Sequence, residues 1–477
     1  MSLPRTPDTV AAAGHGPEDR EPRPRRGAGR IRGRRGAGRI RGLLFPAGTL
    51  ALALTVGAVV SGGADQQPSA ARTAAPAADA PFDRIDTGDL ARGITGLQTH
   101  LRARPKDDRA WATLGAAYVE QARTSGDPTR YPQADKALAR SLELRPRDND
   151  AALAGRAALA AARHDFSQAL RDGEAALKVN PFGERALASR IDALVELGRY
   201  SEALAAAKEA DGRRPGIPVF TRYAYVLELR GDVTGARRVL NTAMNSASSP
   251  GDVAYVATAT GQLEWSQGAY APALKNFTTA LEADPEYLPA LEGRARAHAA
   301  RGDTESAVSG LEAVVDRLPL PGHLVALGEL YEAAGRTSDA RRQYELIGDW
   351  TELARANGVD TDLDTALALA DHGDKAQALA AARTEWAKRR TVHTADALAW
   401  ALHVNGRSAH AMKYLSASAP RGCRNAVFLY HRGMIERAAG RPAAARTSLA
   451  AALEINPGFS PVGSRTARTA LRSLEAS

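Results

Sequence analysis

The sequence has little of what builds disulfide-bonded, metal-binding or cofactor-binding proteins. Its 477 residues include one cysteine, Cys423, which excludes an internal disulfide, a zinc site built from cysteines and an iron–sulfur cluster. Aromatic residues make up only 5% of the chain, whereas 44% of its residues are hydrophobic. The core must therefore be built from small aliphatic side chains, and such a composition favours helices.

Motifs of the common enzyme classes are also missing. The sequence has no Walker-type phosphate loop, no GxSxG nucleophile elbow and no HExxH zinc motif, and its ten histidines lack metal-ligand spacing. His372 is followed by Gly373 at a turn between helices, where histidine is usually a capping or solvated residue. We therefore expect no catalytic residue, no bound cofactor and no metal.

The positive charge of the chain is confined to one short segment. The net charge is +9, and residues 23–41 alone hold nine arginines and no acidic residue. The other residues therefore sum to zero, so the charge of the folded part does not indicate a nucleic-acid partner. An RNA-binding arm is the alternative interpretation of residues 23–41, although arginines beside a membrane segment are explained by anionic headgroups.

An uncharged segment follows the arginines directly. As a helix with 1.5 Å of rise per residue, residues 43–60 would span roughly 27 Å, about the thickness of the hydrocarbon core of a bilayer. The positive-inside rule keeps the arginines in the cytoplasm and places the rest of the chain outside. We predict a single transmembrane anchor. A cleaved signal and a secreted product are the alternative, because small residues follow Val60.

Composition divides the chain into four parts. Residues 1–42 are predicted to be a disordered, Arg-rich cytoplasmic tail, and residues 43–60 the anchor or signal segment. Residues 61–81 are rich in Ala, Pro, Gly, Ser and Gln, a composition that does not repay the entropy of ordering, so we predict a flexible linker. Over residues 82–477 apolar residues recur at helical spacing, and no strand is predicted.

Prolines recur along the folded part with a period of 34 or 35 residues. Small and large residues recur at fixed offsets from these prolines, as Ala273, Phe277 and Ala280 do before Pro285. The period predicts ten helix pairs between about residues 107 and 458, the first of them with an insertion around residues 125–132. The prolines in phase are Pro146, Pro181, Pro215, Pro250, Pro285, Pro319 and Pro457.

A glycine lies at the predicted turn between the two helices of most units. Glycine after a helix supplies the left-handed conformation that ends it. Units eight and nine lack the closing proline, and we expect a kink between Tyr344 and Leu363, where the period lengthens. The turn glycines are Gly198, Gly231, Gly268, Gly302, Gly335, Gly373, Gly406 and Gly440.

The units resemble the tetratricopeptide repeat over about 350 residues, as in Leu324, Leu327, Gly328 and Tyr331 of the seventh unit. Strings such as ELGRYSEAL and ALEINPGFSP are similar to an actinobacterial family of such proteins with an N-terminal membrane or secretion signal, to which no reaction is assigned. The resemblance implies an all-α fold. Its form would be a right-handed α-solenoid of about ten helix pairs with a C-terminal capping helix and a concave groove for protein segments.

The inner surface of such a groove comes mainly from the first helix of each unit. Exposed aromatic and Met side chains anchor protein contacts, so we expect those on this surface to bind a partner. The alternative is that the C-terminal set packs the last repeats against a helix after Phe459. The candidates are Trp400, His403, Tyr430, His431 and Met434 near the C-terminus, and Arg222, Tyr225 and Trp265 in the first half.

These observations favour an interaction protein. We expect a membrane-tethered extracytoplasmic scaffold that binds a peptide or protein partner in its groove, with no nucleic-acid partner. A cell-envelope factor that binds a non-protein ligand such as a glycan is the alternative. Carbohydrate grooves usually expose several rings, whereas most inner faces here are aliphatic or charged, which favours peptides.

Overall fold

The computed structural model describes residues 87–420 and 422–476, and every regular element among these residues is a helix. The predicted tail, the anchor or signal segment and the linker lie outside the described residues. Within the described part, no helix is both long enough and apolar enough to cross a membrane.

The helices follow one another as antiparallel pairs, as the repeat period predicts. A first helix, α1, precedes ten pairs, which we number units 1 to 10, and α23 follows them as a cap. The first members of the pairs are α2 (Asp108–Ser125), α4 (Asp150–Ala162), α6 (Glu184–Glu196), α8 (Ile217–Leu229), α10 (Pro250–Ser266), α12 (Leu288–Ala300), α14 (Pro321–Ala333), α16 (Asp362–His372), α18 (Val392–Val404) and α21 (Ala426–Ala438).

The second members complete the described chain. They are α3 (Tyr131–Leu144), α5 (Phe166–Val179), α7 (Tyr200–Arg213), α9 (Val233–Asn245), α11 (Tyr270–Ala283), α13 (Thr304–Arg317), α15 (Thr337–Ala356), α17 (Lys375–Lys388), the pair of short helices α19 (Ser408–Ala411) and α20 (Leu415–Ser418), and α22 (Pro442–Ile455). The flanking helices are α1 (Thr87–Ala103) and α23 (Gly463–Glu475).

Local sequence explains the turn inside each unit. Seven of the eight predicted turn glycines have a φ of +73° to +85°, whereas Gly373 has a φ of −144°. An aspartate often follows and caps the second helix: the Asp232 side chain accepts a hydrogen bond from the Gly235 amide at 2.8 Å. In unit 2 the left-handed position belongs to His164, with a φ of +64°.

Small residues let paired helices approach closely. Phe277 is fully buried in unit 5 and fills the space beside Gly261 and Gly293, where an added Cβ would meet its ring. Leu138 occupies the same kind of position between Gly115 and Gly155. The recurring small and large residues are therefore packing partners, as the sequence pattern predicts.

Irregular units depart from the pattern where the sequence does. The insertion in unit 1 forms a 3₁₀ turn at Pro128–Arg130. The longer period at unit 7 comes from α15, which has 20 residues and runs unbroken to Ala356. The kink expected between Tyr344 and Leu363 stays a prediction. In unit 9 the second helix is divided into α19 and α20 by a 3₁₀ turn at Met412–Tyr414.

The first helices form the inner layer of the solenoid. Each contacts the first helix of the next unit, from α2 with α4 through to α18 with α21. Within the described residues, consecutive second helices make little contact with each other. A stack of helix pairs curves toward the layer that packs more closely, so the first helices line the concave side.

The superhelix also contacts itself in a regular register. For units 2 to 5, the turn inside unit n contacts the segment that follows unit n+5, and we call this line of contacts the seam. Both hydrogen bonds and close backbone approaches contribute to it. The contacts join Arg163 and His164 to Asp360, Tyr200 to Val392, Gly231 to Gly422, and Tyr270 to Asn456 and Gly458.

Charged and apolar side chains both stabilise the seam. Arg389, 8% exposed, follows α17 directly and forms ion pairs with Glu196 of unit 3 and with Glu385 of α17. Beside it, Val392 and Phe428 belong to an apolar cluster against which Tyr200 packs. Such a buried ion pair is costly to break, because removing one partner leaves the other charge buried and unpaired.

Candidate binding surface

The C-terminal candidates are brought together at the inner layer of units 9 and 10. The Trp400 ring stacks on His431 at 4.1 Å and on His403 at 5.0 Å, measured between ring centroids. Tyr430 lies 5.7 Å from Trp400 on the same measure. Met434 is partly buried against the same core. The structure therefore brings four of these residues together as a cluster of rings, with Met434 packed against the same core.

Their exposure differs from what the sequence suggested. Trp400, Tyr430 and His431 are 5%, 8% and 5% exposed. The Tyr430 ring packs against Phe459 at 5.3 Å, and residues of α23 belong to the same core. This is the packing that the alternative interpretation describes. Direct contact with a partner stays a prediction for this set, and half-buried His403 and Met434 keep the more accessible side chains.

Buried polar contacts hold the aromatic rings in place. The Trp400 indole N–H donates to Asp371 Oδ1 at 2.7 Å, and His431 Nδ1 lies 2.8 Å from Asp396 Oδ2. Burial opposes the charged imidazolium, but the carboxylate of Asp396 raises the pKa of His431 above its ordinary value. Burial, together with the charge of His431, lowers the pKa of His403 to about 4, so His403 is neutral at pH 7.

Three carboxylates lie beside this cluster of rings, and we call them the acidic rim. They are Glu329, Glu332 and Asp371. Asp371 is exposed, and the Glu332 side chain is 45% exposed. His372 lies between the two glutamates, 3.7 Å from Glu329 and 3.9 Å from Glu332, and stacks on Tyr344 at 4.0 Å. The rim therefore presents the carboxylates of Glu332 and Asp371 to solvent on the first helices of units 7 and 8.

The first-half candidates have three different environments. Arg222 is 6% exposed and pairs with Asp192 at 2.9 Å, so it belongs to the core. Tyr225 is half-buried on α8, and Trp265 is half-buried at the end of α10. The Trp265 carbonyl accepts a hydrogen bond from Asn456 at 2.9 Å, which places this residue at the seam.

Sequence reasoning missed Glu228, which follows Tyr225 by three residues on the same face of α8. Both residues line a partly open cavity of about 50 Å³ between α8, α9 and α10. The Ser266 hydroxyl donates to Glu228 Oε1 at 2.8 Å. Burial raises the pKa of Glu228 to about 7. The spacing from Tyr225 was the available signal, but it does not reveal a cavity.

One acidic cluster has the geometry of a metal site. Oxygen atoms of Asp360, Asp362 and Glu385 lie within 4.8 Å of one another. The Lys388 ammonium already pairs with Asp360, and it lies 2.7 Å from Asp362. Lysine therefore supplies the positive charge that this cluster needs, and the cluster is explained as part of the seam.

Comparison with known families gives the repeat type. Two family models described as tetratricopeptide repeat match the chain, at residues 154–218 and at residues 264–322. The chain contains tetratricopeptide repeats. The matched segments cover units 2 and 3 and the region of units 5 and 6, and the other helix pairs continue the same arrangement. The narrower resemblance to actinobacterial tetratricopeptide proteins stays a prediction.

The chain is similar to several solved structures, two of which are tetratricopeptide repeat proteins. A thermophilic protein of Thermus thermophilus is 24% identical, with a TM-score of 0.33; 35% of this chain and 91% of that chain are covered. A protein of Parabacteroides merdae is 20% identical, with a TM-score of 0.32 and coverage of 54% and 98%. The human IFIT1 dimer with PPP-AAAA is 11% identical, with a TM-score of 0.40 and coverage of 71% and 95%. No curated protein gives a significant sequence match.

Proposed function

We propose that this protein is a membrane-tethered extracytoplasmic scaffold whose concave surface binds a segment of a partner protein. Its role is to bind and position that partner, without a reaction of its own. The observation that supports the proposal is the continuous inner layer of first helices, on which the acidic rim is accessible to solvent. Negative charge on a concave surface favours a partner segment that carries positive charge.

The membrane location is supported by the sequence of the N-terminal region. Residues 43–60 carry no charge and follow nine arginines, which predicts an anchor with the repeats outside the cytoplasm. A reporter enzyme that is active only outside the cytoplasm, fused to the C-terminus, tests this topology. Activity in the membrane fraction is the expected result. An inactive fusion contradicts the location, and a shortened soluble product means that the segment is a cleaved signal.

Partner binding is tested by cross-linking in membranes with the full chain as bait. The variant Glu332→Gln with Asp371→Asn removes two charges from the acidic rim, and both amides still accept the hydrogen bonds of Tyr344 and Trp400. The expected result is loss of a protein that the wild type captures. Glu305→Gln, at an exposed position on outer helix α13, is the matched control and should keep that protein.

Two outcomes would contradict this proposal. The first is that the rim variant and the wild type capture the same proteins in the same amounts. The second is that a glycan fraction, and no protein, competes for the rim, which would favour the alternative of a non-protein ligand.

A further inference from the structure

Glu228 differs from the paired carboxylates in the helix packing. Asp192, Glu292, Asp396 and Glu436 are each paired with an arginine or histidine at 2.8–2.9 Å. Glu228 forms none of the ion pairs found among the described residues, and its one hydrogen bond comes from the neutral Ser266 hydroxyl. A half-buried carboxylate without a cation is energetically unfavourable, and its raised pKa reports the same cost.

The space beside this carboxylate is open and suitably lined. The cavity of about 50 Å³ is closed at the back by buried small and aliphatic side chains of α8, α9 and α10. Its polar side chains belong to α8 and α10, the first helices of units 4 and 5. These lining residues are Thr221, Tyr225, Glu228 and Gln262. Tyr225, Glu228 and Gln262 are half-buried and therefore reach the accessible side of the cavity.

The size and charge of the cavity restrict its ligand. A volume of about 50 Å³ admits a few groups of the size of water, and an ammonium group is of that size. A guanidinium is wider and planar, and it pairs best with both oxygens of a carboxylate, whereas Glu228 Oε1 already accepts a hydrogen bond from Ser266. A divalent cation would need several oxygen ligands, of which Glu228 supplies the only charged one in the lining.

We propose that this cavity binds a primary ammonium group, supplied by a lysine side chain of the partner segment in the groove. The inference rests on the proposed function for the identity of that segment. The ammonium pairs with Glu228 Oε2 and donates to Gln262, while Ser266 holds Oε1. The four methylenes of lysine lie along the apolar part of the cavity.

A small amine tests the cavity without any partner. The full chain is titrated with n-butylammonium chloride at constant ionic strength, and its melting temperature is followed, with n-butanol and n-butylguanidinium as probes of the same length. We expect n-butylammonium to raise the melting temperature saturably, and we expect neither n-butanol nor n-butylguanidinium to do so. Glu228→Gln should abolish the rise, and Glu305→Gln on outer helix α13 should retain it. Ala224→Val narrows the cavity without changing Glu228 and should also abolish it.

The response should depend on pH through Glu228. The Ser266 hydroxyl bonds to its carboxylate, and the other polar residues of the cavity lining are Thr221, Tyr225 and Gln262. Among these only Tyr225 titrates, with its pKa raised well above the ordinary value by burial. The rise in melting temperature should therefore be large at pH 8 and lost at pH 5, where Glu228 is protonated. Equal responses in wild type and Glu228→Gln, or no response in either, would overturn the proposal.

Selection from a displayed peptide library separates this inference from the proposed function. Wild-type chain should enrich peptides with lysine at one fixed position, and Glu228→Gln should enrich peptides without that preference. Enriched peptides that lack lysine at a fixed position overturn the inference and leave peptide binding in place. If no peptide is enriched, peptide binding fails, and the butylammonium titration alone decides whether the cavity takes an ammonium group.

Discussion

Burial determines what the Trp400 side chain contributes to the protein. It is 5% exposed, stacks on His431 and donates a hydrogen bond to Asp371, so its removal leaves a cavity and an unpaired acceptor. We expect Trp400→Ala to lower the free energy of unfolding by about 3–5 kcal/mol, measured by urea denaturation. Phe182→Ala removes an aromatic ring that is 58% exposed and should change stability little. An unchanged Trp400→Ala midpoint would show that the ring is a surface residue.

Two glycines in unit 7, one in each helix, allow a second pair of matched substitutions. A Cβ at Gly328 would collide with the Tyr344 ring, whereas a Cβ at Gly348 would meet no atom within 4 Å. We expect Gly328→Ala to destabilise the fold by about 1–3 kcal/mol through overpacking. Gly348→Ala should instead stabilise it by about 0.5–1 kcal/mol, because alanine favours the helix. The measurement is the melting temperature of both variants by calorimetry. Shifts of the melting temperature with the same sign would contradict this packing.

Helical periodicity predicts which residues share a face, but it does not predict whether that face is accessible. Trp400, Tyr430 and His431 lie next to one another, yet Phe459 and α23 belong to the core that buries them. The cavity beside Glu228 depends on small residues of three helices, among them Ala236 of α9 and Ala259 of α10. Such a coincidence of small residues has no periodic signature along the chain.

At the scale of the helix, α16 carries a carboxylate in an unfavourable environment. Burial raises the pKa of Asp364 to about 7 against the opposing effect of Arg389, and nearby Glu385 adds to the rise. The folded state therefore binds a proton that the unfolded state releases between about pH 4 and pH 7. It follows that the free energy of unfolding falls as pH rises through this window.

The corresponding test replaces the acid with its amide. Asp364→Asn should be more stable than the wild type at pH 8, and its stability should change less between pH 5 and pH 8. Asp349→Asn, at an exposed position of α15, is the control and should follow the wild type. Urea midpoints at the two pH values are the measurement. If Asp364→Asn and the wild type lost the same stability between pH 5 and pH 8, the prediction that Asp364 titrates near pH 7 would be wrong.

The sequence predicts the order of the helices more directly than it predicts the charged contacts between the helices. The turn glycines and the repeating prolines fix ten helix pairs, because a left-handed residue and a missing amide act locally. Gly373 follows the same pattern in the sequence but has a φ of −144°. The cap does not explain this difference, because Asp374 caps α17 just as Asp232 and Asp303 cap the helices after two left-handed glycines. Asp364 gains its environment from Arg389 and Glu385, which no local pattern relates to it.

At the scale of the whole molecule, the seam adds contacts between units that are not neighbours in the stack. Gly198 and Gly335 occupy equivalent turns with φ of +75° and +76°. A Cβ at Gly198 would collide with the carbonyl of Arg390 across the seam, whereas one at Gly335 would meet nothing within 4 Å. Alanine at either position costs about 1–2 kcal/mol for the left-handed backbone. We expect Gly198→Ala to cost a further 1–3 kcal/mol, roughly, for the clash.

Urea denaturation gives the two stabilities, and small-angle scattering reports whether the seam opens. The expected result is a larger loss of stability and a larger radius of gyration for Gly198→Ala than for Gly335→Ala. Equal losses with unchanged scattering would mean that the seam does not contribute in solution. The seam itself was not predictable, because its partners, such as Tyr200 and Val392, lie in turns that look alike in every unit.

The register of the seam constrains how this gene can change. Tandem arrays commonly gain or lose whole units by duplication and deletion, since each unit needs only its neighbours. Here the turn of unit 3 must meet the segment after unit 8, where Arg389 pairs with Glu196. A duplication between those units would shift every partner by one step and leave the ion pair unmatched. Repeat number between units 3 and 8 should therefore be held constant among descendants of this sequence.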